Sequence, residues 1–477
     1  MKCKKPLFIV LFSLSIFGFT QNLNLEPYIF ISKAGDSIDA EIGSFKVPED
    51  RTESHSDSIT VKFIRFKSTN PNPESPIVYL SGGPGGSGSE TAKGRRFDLF
   101  MKLREVADVI AFDQRGTGLS NRLPNCKERA YFELDKPIER QIYIEKTTSN
   151  IKKCFKFWSQ KNVNLKAYNT TESAKDIEEL RKLLNTKQIS LWGISYGSHL
   201  AFEYVSLFEN SLDKVVLASL EGKDQTIKLP KNTEDFVFKL AEMAKTNAGS
   251  DDKYPDLKAK IIEVHERVKA NPVIATYKNR RGGIDTIGIS NFELQSAIAT
   301  FYLKNPSDQK KLPKLYLDMY KGNFSEVAVD VMVMKRYIYP GVRPMPFAMD
   351  MQSGISEQRK ILVANQISES ILGSSINFLL YEWMTSLEFP QLSNDFRIMK
   401  PNKVDALLFS GTLDGRTYLK AGKAIANKFE NGRHIPVVNG GHDLFMASPK
   451  IGETILEFFK GKSIDTTEIV VEPLVFN

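Results

Sequence analysis

Cysteine and histidine are both scarce in this chain, with three and five copies in 477 residues. Three cysteines cannot staple a fold of this size, so a hydrophobic core must hold it. No clustered His/Cys pattern with ligand spacing is present, and neither a metal nor an organic cofactor is implied. No block of like charge stands out. The formal net charge is +8, and Lys2, Lys4 and Lys5 supply three of those charges, so the remainder is only mildly basic. That argues against a nucleic-acid partner. Beyond the first twenty residues no stretch is long and apolar enough to cross a membrane. Internal repeats and low-complexity segments are also absent.

What is present is material for a large core: 41% of the residues are hydrophobic and 26% charged, over a length too great for one minimal domain. The N-terminus reads as a secretory signal rather than as part of the fold. Lys2, Lys4 and Lys5 precede an apolar run from Leu7 to Phe19, and Gly18-Phe19-Thr20 offers small residues where signal peptidase cuts. The run is short for a full span, which favours cleavage near residue 20 over an anchor and predicts a secreted or periplasmic product with no stable membrane insertion. Cys3 lies before the apolar run, so it is not placed for lipid attachment. Cleavage leaves Cys126 and Cys154, and two cysteines in an oxidising compartment predict one disulfide.

Residues 36–68 alternate apolar and polar and read as early strands. Ile77-Val78-Tyr79-Leu80 is a short continuous apolar run, expected of a strand buried on both faces, and it leads straight into Ser81-Gly82-Gly83-Pro84-Gly85-Gly86-Ser87-Gly88. Val106 to Phe112 repeats the pattern and ends in Asp113-Gln114-Arg115-Gly116-Thr117-Gly118. A helix is predicted over 173–184, with Ser173 and Asp176 as its capping box. Gln188 to Trp192 is the next strand, ending in Gly193-Ile194-Ser195-Tyr196-Gly197, followed by a helix to about Leu207 and a strand from Val215 to Leu220. Strands alternating with helices predict an α/β fold with a mostly parallel sheet covered on both faces.

The alternation stops at about residue 222. From there to 402 the periodicities are helical, as in Leu257, Ile261, Val264 and Val268, and over 290–303, 356–368 and 376–388. This predicts an inserted α-helical cap with no clear buried strand. Strands return at Val404 to Phe409, ending in Thr412-Leu413-Asp414-Gly415, and at Ile435 to Val438, ending in Asn439-Gly440-Gly441-His442-Asp443. Helices are expected over 417–429 and 449–460. The predicted organisation is a core of residues 25–221 and 403–465, and a cap of 222–402. Residues 461–477 are compatible with either a tail or an edge strand.

Gly193-Ile194-Ser195-Tyr196-Gly197 fits G-x-S-x-G placed between a strand and a helix, a sharp turn that presents the serine hydroxyl at the sheet edge. A serine hydroxyl needs a base. Of the five histidines, His55 precedes the core strands, His199 lies on the helix after the turn, His265 is in the cap, and His434 precedes its strand. His442 follows the last core strand in a glycine-rich loop, on the edge where Ser195 should emerge. Asp414, past a strand and between serine and histidine in chain order, is the expected acid; Asp405 is at the wrong end of that strand, and Asp443 adjoins His442 and should point away. The glycine-rich stretch after the first buried strand suits an oxyanion hole: Pro84 has no N–H, so Gly83 or Gly85 supplies one donor, and the Tyr196 amide the second. No lysine-serine or lysine-threonine pair follows it, which weighs against a phosphate loop. Asp113-Gln114-Arg115-Gly116 is expected to brace the site from below through a buried ion pair.

Together, Gly82-Gly83-Pro84-Gly85, Asp113-Gln114-Arg115-Gly116-Thr117-Gly118-Leu119-Ser120, Gly193-Ile194-Ser195-Tyr196-Gly197, Asp414 and Gly441-His442 resemble the prolyl-aminopeptidase and tripeptidyl-aminopeptidase family of α/β-hydrolases. The sequence departs from the prolyl enzymes at Ser81, where they often carry histidine, and at Tyr196, where they often carry tryptophan. The resemblance implies a serine peptidase that removes one or a few residues from a free peptide N-terminus, with the cap gating access. It also implies acidic residues near the cap that hold the substrate's ammonium group; Glu221 and Glu382 are the candidates. Two other readings remain open: an esterase or lipase acting on a small ester with the same triad, and a secreted binding protein that kept the fold without the activity.

Overall fold

Every residue of the runs Ile77–Leu80, Val109–Asp113 and Ile189–Ile194 is buried, as a strand covered on both faces requires. The computed structural model describes residues 22–246 and 253–476. The expected signal segment, residues 1–20, lies outside them. The strands are β1 (Asn24–Ile31), β2 (Ser37–Pro48), β3 (Ser58–Phe66), β4 (Ile77–Leu80), β5 (Val109–Asp113), β6 (Ile189–Ile194), β7 (Leu212–Ala218), β8 (Val273–Lys278), β9 (Ile284–Ile289), β10 (Asp405–Gly411), β11 (Gly432–Val438) and β12 (Ile469–Val470). Ten of them form one sheet in the order β1-β2-β3-β5-β4-β6-β7-β10-β11-β12. β1, β2 and β3 are antiparallel and join β5 antiparallel; from β5 to β12 every pairing is parallel.

The period-two geometry of the strands divides their side chains between two cores. Val78, Leu80, Leu191 and Leu217 pack into the cluster on one face, with Ile177 and Leu180 of the helix Thr170–Leu183. Ile77, Tyr79, Trp192 and Val216 pack into the other, with Phe100 and Ile455 of helices on that side. The helix Thr170–Leu183 starts three residues before the sequence-based expectation. Asn169 caps it by accepting from the Glu172 amide at 2.9 Å, so Ser173 and Asp176 are interior, buried residues and form no capping box. Ser173 lacked the extended backbone of a cap because Thr170, Thr171 and Glu172 already continue the helix; Asp176 is taken up by arginines, as described below.

Between β7 and β10 the chain builds the cap, which has a core of its own around Val237, Leu240, Ile261, Val264, Ile298 and Leu315. Two expectations need correction here. The cap is not wholly helical: β8 and β9 pair antiparallel in it. Asn279 closes the hairpin, its side-chain oxygen accepting from the Arg281 and Gly283 amides at 3.0 Å each. The strands are six residues each and β8 is largely exposed, so they carry no long apolar run to stand out among helices. Second, the cap draws on residues before 222. Phe132, Ile138 and Tyr143 belong to its core, Tyr143 stacks on Phe132 with centroids 4.4 Å apart, and the Gly288 amide donates to Leu134 O at 2.8 Å. Cys126 and Cys154 are disulfide-bonded, tying this segment to the helix Arg140–Gln160. At the C-terminus, Ile469 and Val470 pair with β11, so the sheet extends beyond residue 465. Among the described residues no helix is long and apolar enough to cross a membrane.

Candidate active site

Three parallel strands deliver three side chains to the same edge of the sheet. Ser195 follows β6, Asp414 lies three residues past β10, and His442 lies four past β11. The C-terminal edge of a parallel sheet is where loops can converge without disturbing the hydrogen-bond ladder. Ser195 sits at φ 57°, ψ −125°, a conformation that a residue with a Cβ enters only under constraint. The constraint is visible at Gly197, where a Cβ would collide with the Leu80 carbonyl oxygen: β4 and the helix Tyr196–Phe208 approach too closely for any other residue.

His442 Nε2 is 3.0 Å from Ser195 Oγ, and Nδ1 is 2.9 and 3.0 Å from the two oxygens of Asp414. Burial by itself would raise the Asp414 pKa, but His442 and the hydrogen bonds from Thr417 outweigh it and hold the carboxyl below the usual range. An ionised carboxylate only accepts, so Nδ1 must carry the proton and Nε2 is left to accept from the serine hydroxyl. Asp414 is itself fixed by the Arg416 amide at 2.8 Å, the Thr417 amide at 2.9 Å and the Thr417 hydroxyl at 2.5 Å. Thr417 lies in the turn that placed Asp414, but its role as a double donor had no sequence signal.

Of the other four histidines, His55 is exposed and three are engaged elsewhere. His199 contacts Gly222 O and Ser353 Oγ, His265 lies between Asn291 and Tyr316, and His434 contacts Ser410. Asp443 turns away from His442 to Arg95 and Arg96, at 2.7 and 2.5 Å.

The glycine-rich loop lies against the serine. A Cβ on Gly82 would come within 2.9 Å of Ile194 O and 3.1 Å of Ser195 Cβ. Gly82 and Gly83 face the cavity in front of Ser195, whereas Gly85 packs under Pro346 of the cap and does not. Of the two glycines considered for the oxyanion hole, Gly83 is therefore the one at the site. The Tyr196 amide is the first of its helix, where N–H groups have no partner within the helix. Its side chain points away, to Thr170 and Met349.

Asp113 and Arg115 brace the loops from below, but not with each other. Asp113 accepts from the hydroxyls of Ser87 and Ser89 at 2.8 and 2.6 Å and from the Leu119 amide at 2.8 Å, tying the glycine-rich loop to β5. Arg115, fully buried, makes a two-pronged pair with Asp176, both contacts at 2.7 Å, and donates to Glu49 O and Ala167 O.

Comparison with known proteins agrees with this geometry. Residues 75–258 match the sequence profile of the alpha/beta hydrolase fold. The chain has the α/β-hydrolase fold. It is 26% identical over 230 residues to a putative hydrolase, YuaR, of Escherichia coli, covering 46% of this chain and 43% of that protein. It is 27% identical over 221 residues to the serine protease Hip1 of Mycobacterium tuberculosis, covering 43% of this chain and 42% of that protein. It is 25% identical over 196 residues to a tripeptidyl aminopeptidase of Streptomyces lividans, covering 38% of this chain and 35% of that protein. The chain thus spans less than half the length of these curated relatives.

The space between the sheet edge and the cap is a cavity of about 690 Å³, which Ser195 and His442 line. Glu221 lines it too, ion-paired to Lys228 at 3.2 Å. Glu382 does not. It is buried within the cap, bound to Arg140 and to the Ser374 hydroxyl at 2.7 Å each. The structure instead brings in Asp350, from the cap helix Pro344–Ser353. Burial and the nearby Glu221 push its carboxyl well above the usual range. Among the described residues no hydrogen bond or ion pair engages that carboxylate. Nothing in the sequence marked it, since the segment Met345-Pro346-Phe347-Ala348-Met349-Asp350 reads as an ordinary core helix.

Proposed function

We propose that the chain is a serine peptidase that releases one or a few residues from the free N-terminus of a peptide, acting outside the cytoplasm. Ser195 Oγ attacks the scissile carbonyl while His442 Nε2 takes its proton, and the amides of Gly83 and Tyr196 receive the developing oxyanion. His442 then returns the proton to the leaving amine, the carbon–nitrogen bond breaks, and an acyl-enzyme remains. Water, deprotonated by His442, releases the acid and regenerates the serine. Asp414 keeps the imidazole in its working tautomer and stabilises the imidazolium. The triad geometry supports the hydrolase part of this reading, and the names of similar proteins support peptides over esters.

The observation that carries the free-N-terminus reading is Asp350. A carboxylate without a partner beside Glu221, in the cavity that holds the nucleophile, costs stability, and such a cost is expected where a ligand supplies the missing cation. A substrate ammonium group fits that need. An esterase pocket has no use for it.

Three fluorogenic substrates test the reading: an unblocked aminoacyl amide, its N-acetylated twin and a short-chain ester, with Ser195→Ala as the control. Cleavage of the unblocked amide and not of its twin is expected. Cleavage of the ester alone keeps the triad and removes the peptidase.

A further inference from the structure

The cavity carries more positive charge than its carboxylates can balance. Five cationic side chains line it against three carboxylates. Two of the cations are matched locally, Lys228 by Glu221 at 3.2 Å and Arg96 by Asp443 at 2.5 Å. Arg343 and Arg416 are not: among the described residues neither guanidinium has an ion pair within 4.0 Å or a side-chain hydrogen bond. They come from different parts of the chain. Arg343 precedes the cap helix that bears Asp350, and Arg416 lies in the turn after β10, two residues past Asp414. Asp350, Arg343 and Arg416 all line this one cavity, and both arginines act electrostatically on Asp350, as does Lys228. Lys304, exposed and next to the loop of His442, adds a further positive charge at the mouth.

A free guanidinium in a walled cavity is a carboxylate receptor, because its planar fork matches the two oxygens and its hydration is weak. Together with Asp350, the cavity presents one acceptor for an ammonium and two receptors for a carboxylate. That is the charge pattern of an amino acid with an acidic side chain. We propose that the site selects peptides whose N-terminal residue is acidic, with Asp350 taking the ammonium and Arg343 and Arg416 taking the side-chain carboxylate of the released residue. This rests on the aminopeptidase reading above and narrows it. The excess positive charge would also draw anionic peptides to the mouth, an attraction that salt screens.

The test compares unblocked glutamyl and glutaminyl amides, which differ only in the side-chain charge, on the full chain and on the double variant Arg343→Gln/Arg416→Gln. The parent should prefer the glutamyl substrate by about tenfold or more in kcat/KM, and the double variant should bring the two toward parity. Competitive inhibition by free L-glutamate over L-glutamine gives the same comparison without turnover, and should weaken in the double variant. Cleavage of both amides by the parent without preference for the acid overturns this inference and leaves the aminopeptidase reading standing. Failure to cleave any unblocked amide removes both. A third pair, trialanine with a free and with an amidated C-terminus, separates the sources of the carboxylate. A preference for the free C-terminus with none for glutamyl over glutaminyl assigns the arginines to the peptide's end and overturns the side-chain assignment.

Discussion

Asn305, a cap residue, accepts with its side-chain oxygen from the backbone amide of His442 at 3.0 Å. The same oxygen takes the Asp443 amide at 3.1 Å. The neighbouring cap residues continue the clasp: Leu303 O accepts from the Gly415 amide at 3.2 Å, and Gln309 Nε2 donates to Leu413 O at 2.7 Å, on either side of Asp414. One short stretch of the cap thus holds the loops of both the histidine and the acid. Small errors in the position of a general base are costly to rate. Asn305→Ala should lower kcat by about tenfold with little change in KM, from loss of roughly 1–2 kcal/mol of hydrogen bonding. Asn305→Asp, which keeps the acceptor, should retain most of the activity. Steady-state kinetics on the three proteins decide this; equal kcat in all of them would make the contact structural only.

Ser195 carries a positive φ of 57°, a strain of about 1–3 kcal/mol for a residue with a side chain. Glycine accepts that backbone freely but costs roughly 0.5–1 kcal/mol in chain entropy. The strain is the larger quantity. Ser195→Gly should therefore be more stable than the parent, by about 1 kcal/mol in denaturant unfolding, while hydrolysis falls by a factor on the order of 10⁴ or more. A variant that loses stability would show that the elbow is not strained.

The contrast between what could be read in the sequence and what could not follows from the range of each interaction. The buried parallel strands were legible because burial on both faces leaves an uninterrupted apolar run, and the turns that end them at Ser195, Asp414 and His442 follow in order. Asp350 and Asn305 were not legible. Each is an isolated polar residue on a cap element, and its meaning comes only from contact with residues distant in the chain. Glu382 shows the converse. Its place near an aromatic pair in the cap was suggestive, but Arg140, far earlier in the sequence, reaches it first. The hairpin of β8 and β9 is too short and too exposed for its alternation to stand apart from the helices around it.

Burial pushes the pKa of His199 and of His265 down to about 4, and His434 moves the same way. In the unfolded chain a histidine titrates near ~6.5. Between those values the unfolded state binds more protons than the folded one, so stability rises with pH across the window and is lost as pH falls through it. Each fully buried histidine contributes a loss of about 3 kcal/mol over that interval. Asp414, held below its usual range, has the same sign at lower pH. Denaturant midpoints should therefore drop steeply from pH 7 to pH 4.5, and the slope should flatten in His265→Gln relative to its own value at pH 7. A parent whose midpoint is flat over this range would contradict the burial of these rings.

Asp350 has the opposite sign. Its carboxyl is held well above the usual range, so its charged form is a burden on the folded protein that grows as pH rises. Removing the charge should relieve that burden and remove the acceptor proposed for the substrate ammonium. Asp350→Asn is thus expected to raise the thermal midpoint at neutral pH while raising KM for unblocked amides by about tenfold or more, with a much smaller effect on a short ester that has no ammonium. The three readouts separate the possibilities. A structural acid paired silently with Arg343 and Arg416 would destabilise the protein when lost, because the two cations would be left without it. A general defect in the triad would slow ester and amide alike. Only a residue kept for its substrate gives a more stable protein that fails selectively on the free N-terminus, so the midpoint and the ratio of the two rates should move in opposite directions.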